Sequence, residues 1–151
     1  MQGQNATAYV RIPFQSPDPS QFDSLSLRMQ YDDGFVAYLN GVEVARSNAP
    51  GTLSFNSTAT SARDGLPTQV ATFVVSAGLL QAGTNVLAIR GLNVSAADDD
   101  FLVRPELIGL RVHTDQLSYF ATPTPGDANK DATLGLVAPV QASVARGFFT
   151  A

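Results

Sequence analysis

The fold is decided by residues 25–46, which read LSLRMQYDDGFVAYLNGVEVAR. The first seven residues alternate apolar and polar side chains, and this period of two is typical of a half-buried β-strand. Asp32-Asp33-Gly34 is a turn sequence, and Asn40-Gly41 is the pair that most strongly indicates a tight hairpin. We therefore predict a three-stranded meander over residues 25–46. The side chains expected to face the core are Leu25, Leu27, Met29 and Tyr31.

Four further segments are rich in β-branched and apolar residues. They are Ala8–Phe14, Thr68–Val75, Asn85–Leu92 and Phe101–Val112. The strand at 85–92 has apolar residues on both faces, which predicts a central position in its sheet. Pro105 has no amide hydrogen to donate, so the last strand should lie at an edge or contain a bulge. We expect a long loop over Ser47–Pro67 and a short helical turn over Ser76–Ala82, closed by Gly83.

The composition predicts a single all-β domain followed by a linker. Of 151 residues, 15% are charged, and 12 Gly and 9 Pro suit short strands joined by many turns. The Pro-, Thr- and Gly-containing stretch that begins at Phe120 is typical of a domain exit. We place the domain at residues 1–120, a linker at 121–133, and the start of a following domain or a tail at 134–151.

Charge and residue content argue against several functional classes. The net charge is −4, so there is no basic surface for nucleic acid. The chain has no Cys and one His, His113, which disfavours thiolate metal sites, zinc sites and a catalytic triad. No apolar stretch approaches the length of a membrane span. We therefore expect a protein that is not an enzyme and binds neither nucleic acid nor membrane.

The stretch from Tyr31 to Val44 resembles the strand-turn-strand signature of galactose-binding-like domains, and Gly83-Thr84-Asn85-Val86-Leu87-Ala88-Ile89 resembles its usual companion. Similar pairs occur in sugar-binding domains of family 2 glycoside hydrolases. They also occur in accessory domains of large secreted bacterial proteins with lamin-tail or spore-coat-kinase-like domains. The resemblance covers roughly residues 8–129. It implies a jelly-roll β-sandwich and a secreted protein, in some cases at the bacterial cell surface.

Two acidic segments are candidates for a calcium site. Asp32 and Asp33 lie on a turn, and Asp98-Asp99-Asp100 lie in the loop between two strong strands. Clustered carboxylates with backbone carbonyls are the oxygen ligands that Ca²⁺ requires, and Glu106 is a further source. The resemblance also implies a structural ion of this kind. The alternative is that these residues form an ordinary turn, stabilised by Asp side chains, and a solvated acidic loop.

Carbohydrate recognition generally combines an aromatic face with Asn, Asp, Arg or Gln side chains that pair with hydroxyls. The chain has no Trp, and most aromatic residues on alternating strands belong to a core. Phe55 is the strongest aromatic candidate because it lies in a polar loop. The predicted ligand-binding residues are Phe55, Arg46, Asn48, Arg90, Asn93 and Arg104.

These observations predict a non-catalytic carbohydrate-binding module of a secreted multidomain protein. Its expected partners are a poly- or oligosaccharide and the neighbouring domains of the same chain, and we expect a monomer. The alternative is a structural spacer or protein-interaction domain that positions its neighbours, for which the linker at 121–133 is the motivation.

Overall fold

The computed structural model describes residues 1–63 and 69–112, and within them seven β-strands form two antiparallel sheets. The strands are β1 (Thr7–Ser16), β2 (Ser24–Asp32), β3 (Gly34–Leu39), β4 (Val42–Ser47), β5 (Ala71–Val75), β6 (Gly83–Leu92) and β7 (Leu102–Leu110). The four-stranded sheet has the order β1-β6-β3-β4, and the three-stranded sheet has the order β5-β2-β7. The predicted all-β sandwich is thereby confirmed.

The core lies between the two sheets. Leu25, Leu27, Met29 and Tyr31 are all buried, as the alternation in β2 predicts. Phe35 of β3 joins the sheets, because its ring packs edge-on against Tyr31 at 4.7 Å and against Phe73 of β5 at 5.6 Å between centroids. Edge-to-face packing of this kind adds to the free energy gained from burying apolar area.

The predicted meander over residues 25–46 is wrong at its first turn. β2 lies in the three-stranded sheet and β3 in the four-stranded sheet, so Asp32-Asp33-Gly34 is a corner between sheets. The physical reason is that β3 is buried along almost its whole length and lies between β4 and β6, whereas β2 pairs with β5 and β7. A turn sequence indicates that the chain changes direction and does not say which sheet it enters.

The second turn of that stretch is confirmed as a hairpin. Asn40 and Gly41 join β3 to β4, and both have positive φ, 52° and 86°. Glycine adopts such values readily, and Asn is among the residues that tolerate them best. The part of the predicted meander that follows the first turn is therefore confirmed as two paired strands.

The predicted positions of two strands within their sheets agree with the structure. β6 lies between β1 and β3, and β7 is an edge strand that contains Pro105. The expected helical turn is shorter than predicted, a 3-10 helix over Ala77–Leu79 with Ser76 at its N-cap. Gly83, with φ of 90°, is the first residue of β6. A second 3-10 helix spans Pro19–Gln21.

None of the helices within residues 1–63 and 69–112 could span a bilayer. Several predictions lie outside the described residues: those for residues 64–68, for residues 113–120 with His113, for the linker at 121–133 and for the segment at 134–151.

Candidate functional site

A groove of about 510 Å³ crosses the outer face of the four-stranded sheet. Its position follows from strand register, because Tyr9 pairs with Arg90, and Arg11 and Tyr38 both pair with Ala88. Val10 packs against the core, so its neighbours Tyr9 and Arg11 lie on the opposite face of β1. The groove is lined by Tyr9, Val10, Arg11, Tyr38, Asn40, Gly41, Val86, Ala88, Ile89 and Arg90.

Two exposed rings, Tyr9 and Phe55, form an aromatic platform beside this groove. The two residues are 55% and 77% exposed, and their rings stack with centroids 6.2 Å apart and planes 22° from parallel. The Tyr9 hydroxyl donates to the Phe55 carbonyl oxygen at 2.6 Å. This bond ties the loop that carries Phe55 to the sheet.

Arg90 of β6 holds the aromatic platform from the sheet side. Its Nη2 donates to the Tyr9 hydroxyl and to the Ser54 carbonyl oxygen, the latter at 2.7 Å. Its guanidinium carbon lies 4.8 Å from the centroid of the Tyr9 ring, which is a cation–π distance. Arg90, a predicted ligand-binding residue, thus lines the groove and contacts both the Tyr9 ring and the backbone of the loop that carries Phe55.

Residues 48–63, here called the Phe55 loop, are anchored at several points to the body of the domain. Asn56 Oδ1 accepts from the backbone N–H groups of Ala6 and Thr7 at 2.9 and 3.1 Å. The Asn48 side chain donates to Asp33 and Ser61 carbonyl oxygens and accepts from Thr60 and Ser61 hydroxyls. Asn48, predicted to bind ligand, therefore has its hydrogen-bonding groups engaged within the domain.

The two acidic segments of the sequence lie together in the structure, at one end of the sandwich. We call Asp32, Asp33, Asp98 and Asp100 the acidic corner. Asp33 is 2% exposed, and its carboxylate accepts the N–H groups of Arg63 and Val94, each at 2.6 Å. These two bonds join the β2–β3 corner to the Phe55 loop and to the β6–β7 loop.

Burial and the nearness of like charges raise the pKa of two carboxyl groups in this corner. Burial and the neighbouring charges of Asp100, Asp33 and Asp98 raise the pKa of Asp32 to about 6. Burial and the carboxyl groups of Asp33 and Asp100 also raise the pKa of Asp98. Asp98, Asp99 and Asp100 each offer a carboxylate oxygen within 4.8 Å of the others. The corner therefore concentrates negative charge that the described contacts leave poorly compensated.

Asn93 lies beside the acidic corner and is 4% exposed. Its Nδ2 donates to the Asp100 carbonyl oxygen at 2.9 Å. Its Oδ1 is shielded from solvent and has no hydrogen-bond partner in the part of the chain that the structure describes. Because buried polar atoms are nearly always paired, this acceptor is unusual.

The remaining predicted residues have partners elsewhere. Arg46 binds Glu43 through Nε and Nη2 at 2.6 and 2.8 Å, and also the Pro50 carbonyl oxygen. Arg104 donates to Gln30 at 3.3 Å, and Glu106 forms an ion pair with Arg28 at 2.8 Å. On β7, Leu102 is the partner of Asp32, and Glu106 is the partner of Arg28 of β2. Glu106 therefore lies four residues along β7 from the position opposite Asp32.

Sequence reasoning missed Tyr9 and Arg11 and left Tyr38 out of the predicted site. A usable signal existed in β1, where Tyr9 and Arg11 share one side and Val10 the other. An aromatic residue in phase with an arginine on a strand indicates an outward-facing ring. Their meeting with Arg90 depends on the pairing of β1 with β6, which local patterns do not show.

No protein-family model matches the chain, and no curated protein is significantly similar to it. The chain is similar to part of the crystal structure of β-D-mannosidase from Dictyoglomus thermophilum, with 21% identity and a TM-score of 0.39. The match covers 58% of this chain and 9% of that chain.

Proposed function

We propose that this chain is a non-catalytic carbohydrate-binding module of a secreted protein, of the galactose-binding-like kind that its sequence resembles. The observation that carries the proposal is the aromatic platform of Tyr9 and Phe55, exposed beside a groove that also contains Arg11 and Tyr38. Sugar rings present C–H faces that pack on aromatic rings, while their hydroxyls pair with guanidinium and phenol groups.

The aromatic platform is held in place without ligand. The Tyr9 hydroxyl bond to Phe55 and the Arg90 contacts with Tyr9 and Ser54 restrict both the ring and the loop. Less conformational entropy is then lost when a ligand binds, and this favours affinity. Two large exposed rings also leave apolar area that a ligand can remove from water.

The positive charge of the groove favours an acidic ligand. The lining contains Arg11 and Arg90 and no carboxylate side chain, although the chain as a whole is acidic. Arg11 makes no hydrogen bond or ion pair with the other residues that the structure describes. Guanidinium groups pair well with carboxylates, so we propose oligosaccharides that contain uronic acids as the preferred class.

The test is a glycan array of plant, algal and animal sugars, followed by calorimetry with the oligosaccharides that bind. Phe55→Ala should weaken binding by about 1 kcal/mol, or about fivefold, because one stacking ring is lost. The matched control is Val74→Ala, which removes an exposed apolar side chain from the other sheet and should leave affinity unchanged. An array without signal, or equal effects of both variants, would contradict the proposal and favour the spacer or protein-interaction alternative.

A further inference from the structure

The groove has two ends, and strand register sets how far apart they lie. Arg11 of β1 and Tyr38 of β3 pair with the same residue, Ala88 of β6, so these three lie in one row across the sheet. The chain neighbours of Ala88 and Tyr38 belong to the core, so both side chains face outward. Tyr9 lies in the next row of β1, and its backbone position is about 12 Å from that of Tyr38 by strand spacing and rise.

The Phe55 loop forms one wall of the groove. Val36 faces outward in the row next to that of Tyr38, yet it is fully buried, and it pairs with Arg90 and Arg46. These two arginines donate to carbonyl oxygens of the loop, those of Ser54 and Pro50, at 2.7 and 2.9 Å. The loop is thus held on both sides of Val36 and covers its row. A ligand is therefore directed along the neighbouring row, from one end of the groove to the other.

The Arg11 end of the groove carries positive charge beside the aromatic platform. Tyr9 and Arg11 are two residues apart on one side of β1, so their side chains are neighbours. Arg11 is exposed and makes no hydrogen bond or ion pair with the other described residues. An acidic sugar that stacks on the platform can therefore direct its carboxylate to Arg11.

The Tyr38 end offers an aromatic ring without a free positive charge. Tyr38 is half-buried, and its hydroxyl makes no hydrogen bond with the other residues that the structure describes. The lining residues that follow it, Asn40 and Gly41, are uncharged. On the neighbouring strand β4, Arg46 is held by both carboxylate oxygens of Glu43. This end therefore suits a neutral sugar, whose hydroxyls can pair with the phenol group.

We propose that the groove holds two neighbouring sugar units, a uronic acid at the Arg11 end and a neutral unit at the Tyr38 end. One ring in van der Waals contact with two aromatic faces needs those faces within about 8 Å of each other. Side chains stand roughly perpendicular to a sheet, so the separation of about 12 Å between Tyr9 and Tyr38 is too large for this. The inference rests on the proposed carbohydrate function and narrows its ligands to polysaccharides that join acidic and neutral units.

The test is calorimetry of the unmodified chain with a defined set of sugars. The set consists of glucuronic and galacturonic acid, their dimers, and mixed disaccharides that link either acid to glucose, galactose, rhamnose or xylose. The best mixed disaccharide should bind at least about fivefold more tightly than its free acid, because a second stacking contact is gained. The dimers should bind less tightly than this disaccharide, since their second carboxylate loses water without gaining a cation.

Tyr38→Ala tests the position of the second unit, with Tyr38→Phe as the matched control. Tyr38→Ala should lower the affinity for the mixed disaccharide at least about fivefold, and that for the free acid much less. Tyr38→Phe keeps the ring and should retain most of the difference between disaccharide and free acid. A residue that only supports the fold would lower both affinities by the same factor.

Equal affinity for the free acids and the mixed disaccharides would overturn the two-unit groove and leave the carbohydrate proposal standing. Tightest binding of a dimer of uronic acids would likewise overturn it. Should Tyr38→Ala fail to fold, the comparison of sugars on the unmodified chain still decides. If neither this set nor the glycan array gives binding, the carbohydrate proposal itself fails, and this inference fails with it.

Discussion

At the scale of single residues, Asn40 and Asn85 join two distant motifs of the sequence. Asn85 is fully buried, and its Oδ1 accepts from Asn40 Nδ2 at 2.7 Å and from the Gln81 N–H at 2.8 Å. Asn40 Oδ1 accepts the Val86 N–H at 2.9 Å. The hairpin at Asn40 and the start of β6 are thus joined through side-chain amides.

Replacing Asn85 by Ala should therefore destabilise the domain strongly. The change leaves Asn40 Nδ2 and the Gln81 N–H without this acceptor, and a buried donor without a partner costs about 1–3 kcal/mol. We expect a loss of about 3 kcal/mol in the free energy of unfolding, measured by urea denaturation. Gln15→Ala, which removes one exposed hydrogen bond to Thr84, should change stability by less than about 0.5 kcal/mol. Similar losses for the two variants would disprove this role.

At the scale of elements, the Phe55 loop is the link between groove and acidic corner. Phe55 stacks on Tyr9 of β1, and the Arg63 N–H is bonded to Asp33 at the corner. Asn56 provides a separate anchor, because one oxygen accepts two backbone N–H groups at the start of β1. Loops with few such bonds open locally at low free energy.

Asn56→Ala should loosen this loop without unfolding the sandwich. Hydrogen exchange at the amides of Ala6 and Thr7 should become faster, while protection in the core strand β2 should change little. Asn56→Asp keeps the acceptor oxygen and serves as the conservative control, with protection close to that of the unmodified chain. Uniformly faster exchange throughout β2 in Asn56→Ala would instead show a global loss of stability.

At the scale of the whole molecule, charge is distributed unevenly. The chain has a net charge of −4, with four carboxylates gathered at the acidic corner and two arginines in the groove. Local fields steer a charged ligand more than net charge does, since a Debye length is about 8 Å at physiological ionic strength. An acidic protein can therefore still attract an acidic sugar at this groove.

If the groove binds uronic acids, affinity should depend on salt. An oligosaccharide with uronate units should bind more tightly than its neutral counterpart, and the difference should shrink as NaCl rises from about 0.05 to about 0.5 M. Calorimetry on the unmodified chain and on Arg11→Gln measures both effects. Arg11→Gln should lose most of the preference for the charged sugar and keep binding of the neutral one. A preference that persists unchanged in Arg11→Gln would assign it to another group.

The sequence by itself determined which segments are strands, which side of β2 faces the core and the hairpin at Asn40-Gly41. It also predicted that the strand with Pro105 lies at an edge or contains a bulge. Alternation, turn chemistry and a missing amide hydrogen are local properties, so they can be read without the fold. It also identified Asp32, Asp33 and the Asp98–Asp100 segment, but as separate features. Tertiary structure alone decided that β2 and β3 enter different sheets, because their partners are distant in sequence. It also placed Tyr9 beside Arg90, and Asp33 beside the loop that follows Asn93, since side chains so far apart meet only through strand pairing and backbone hydrogen bonds.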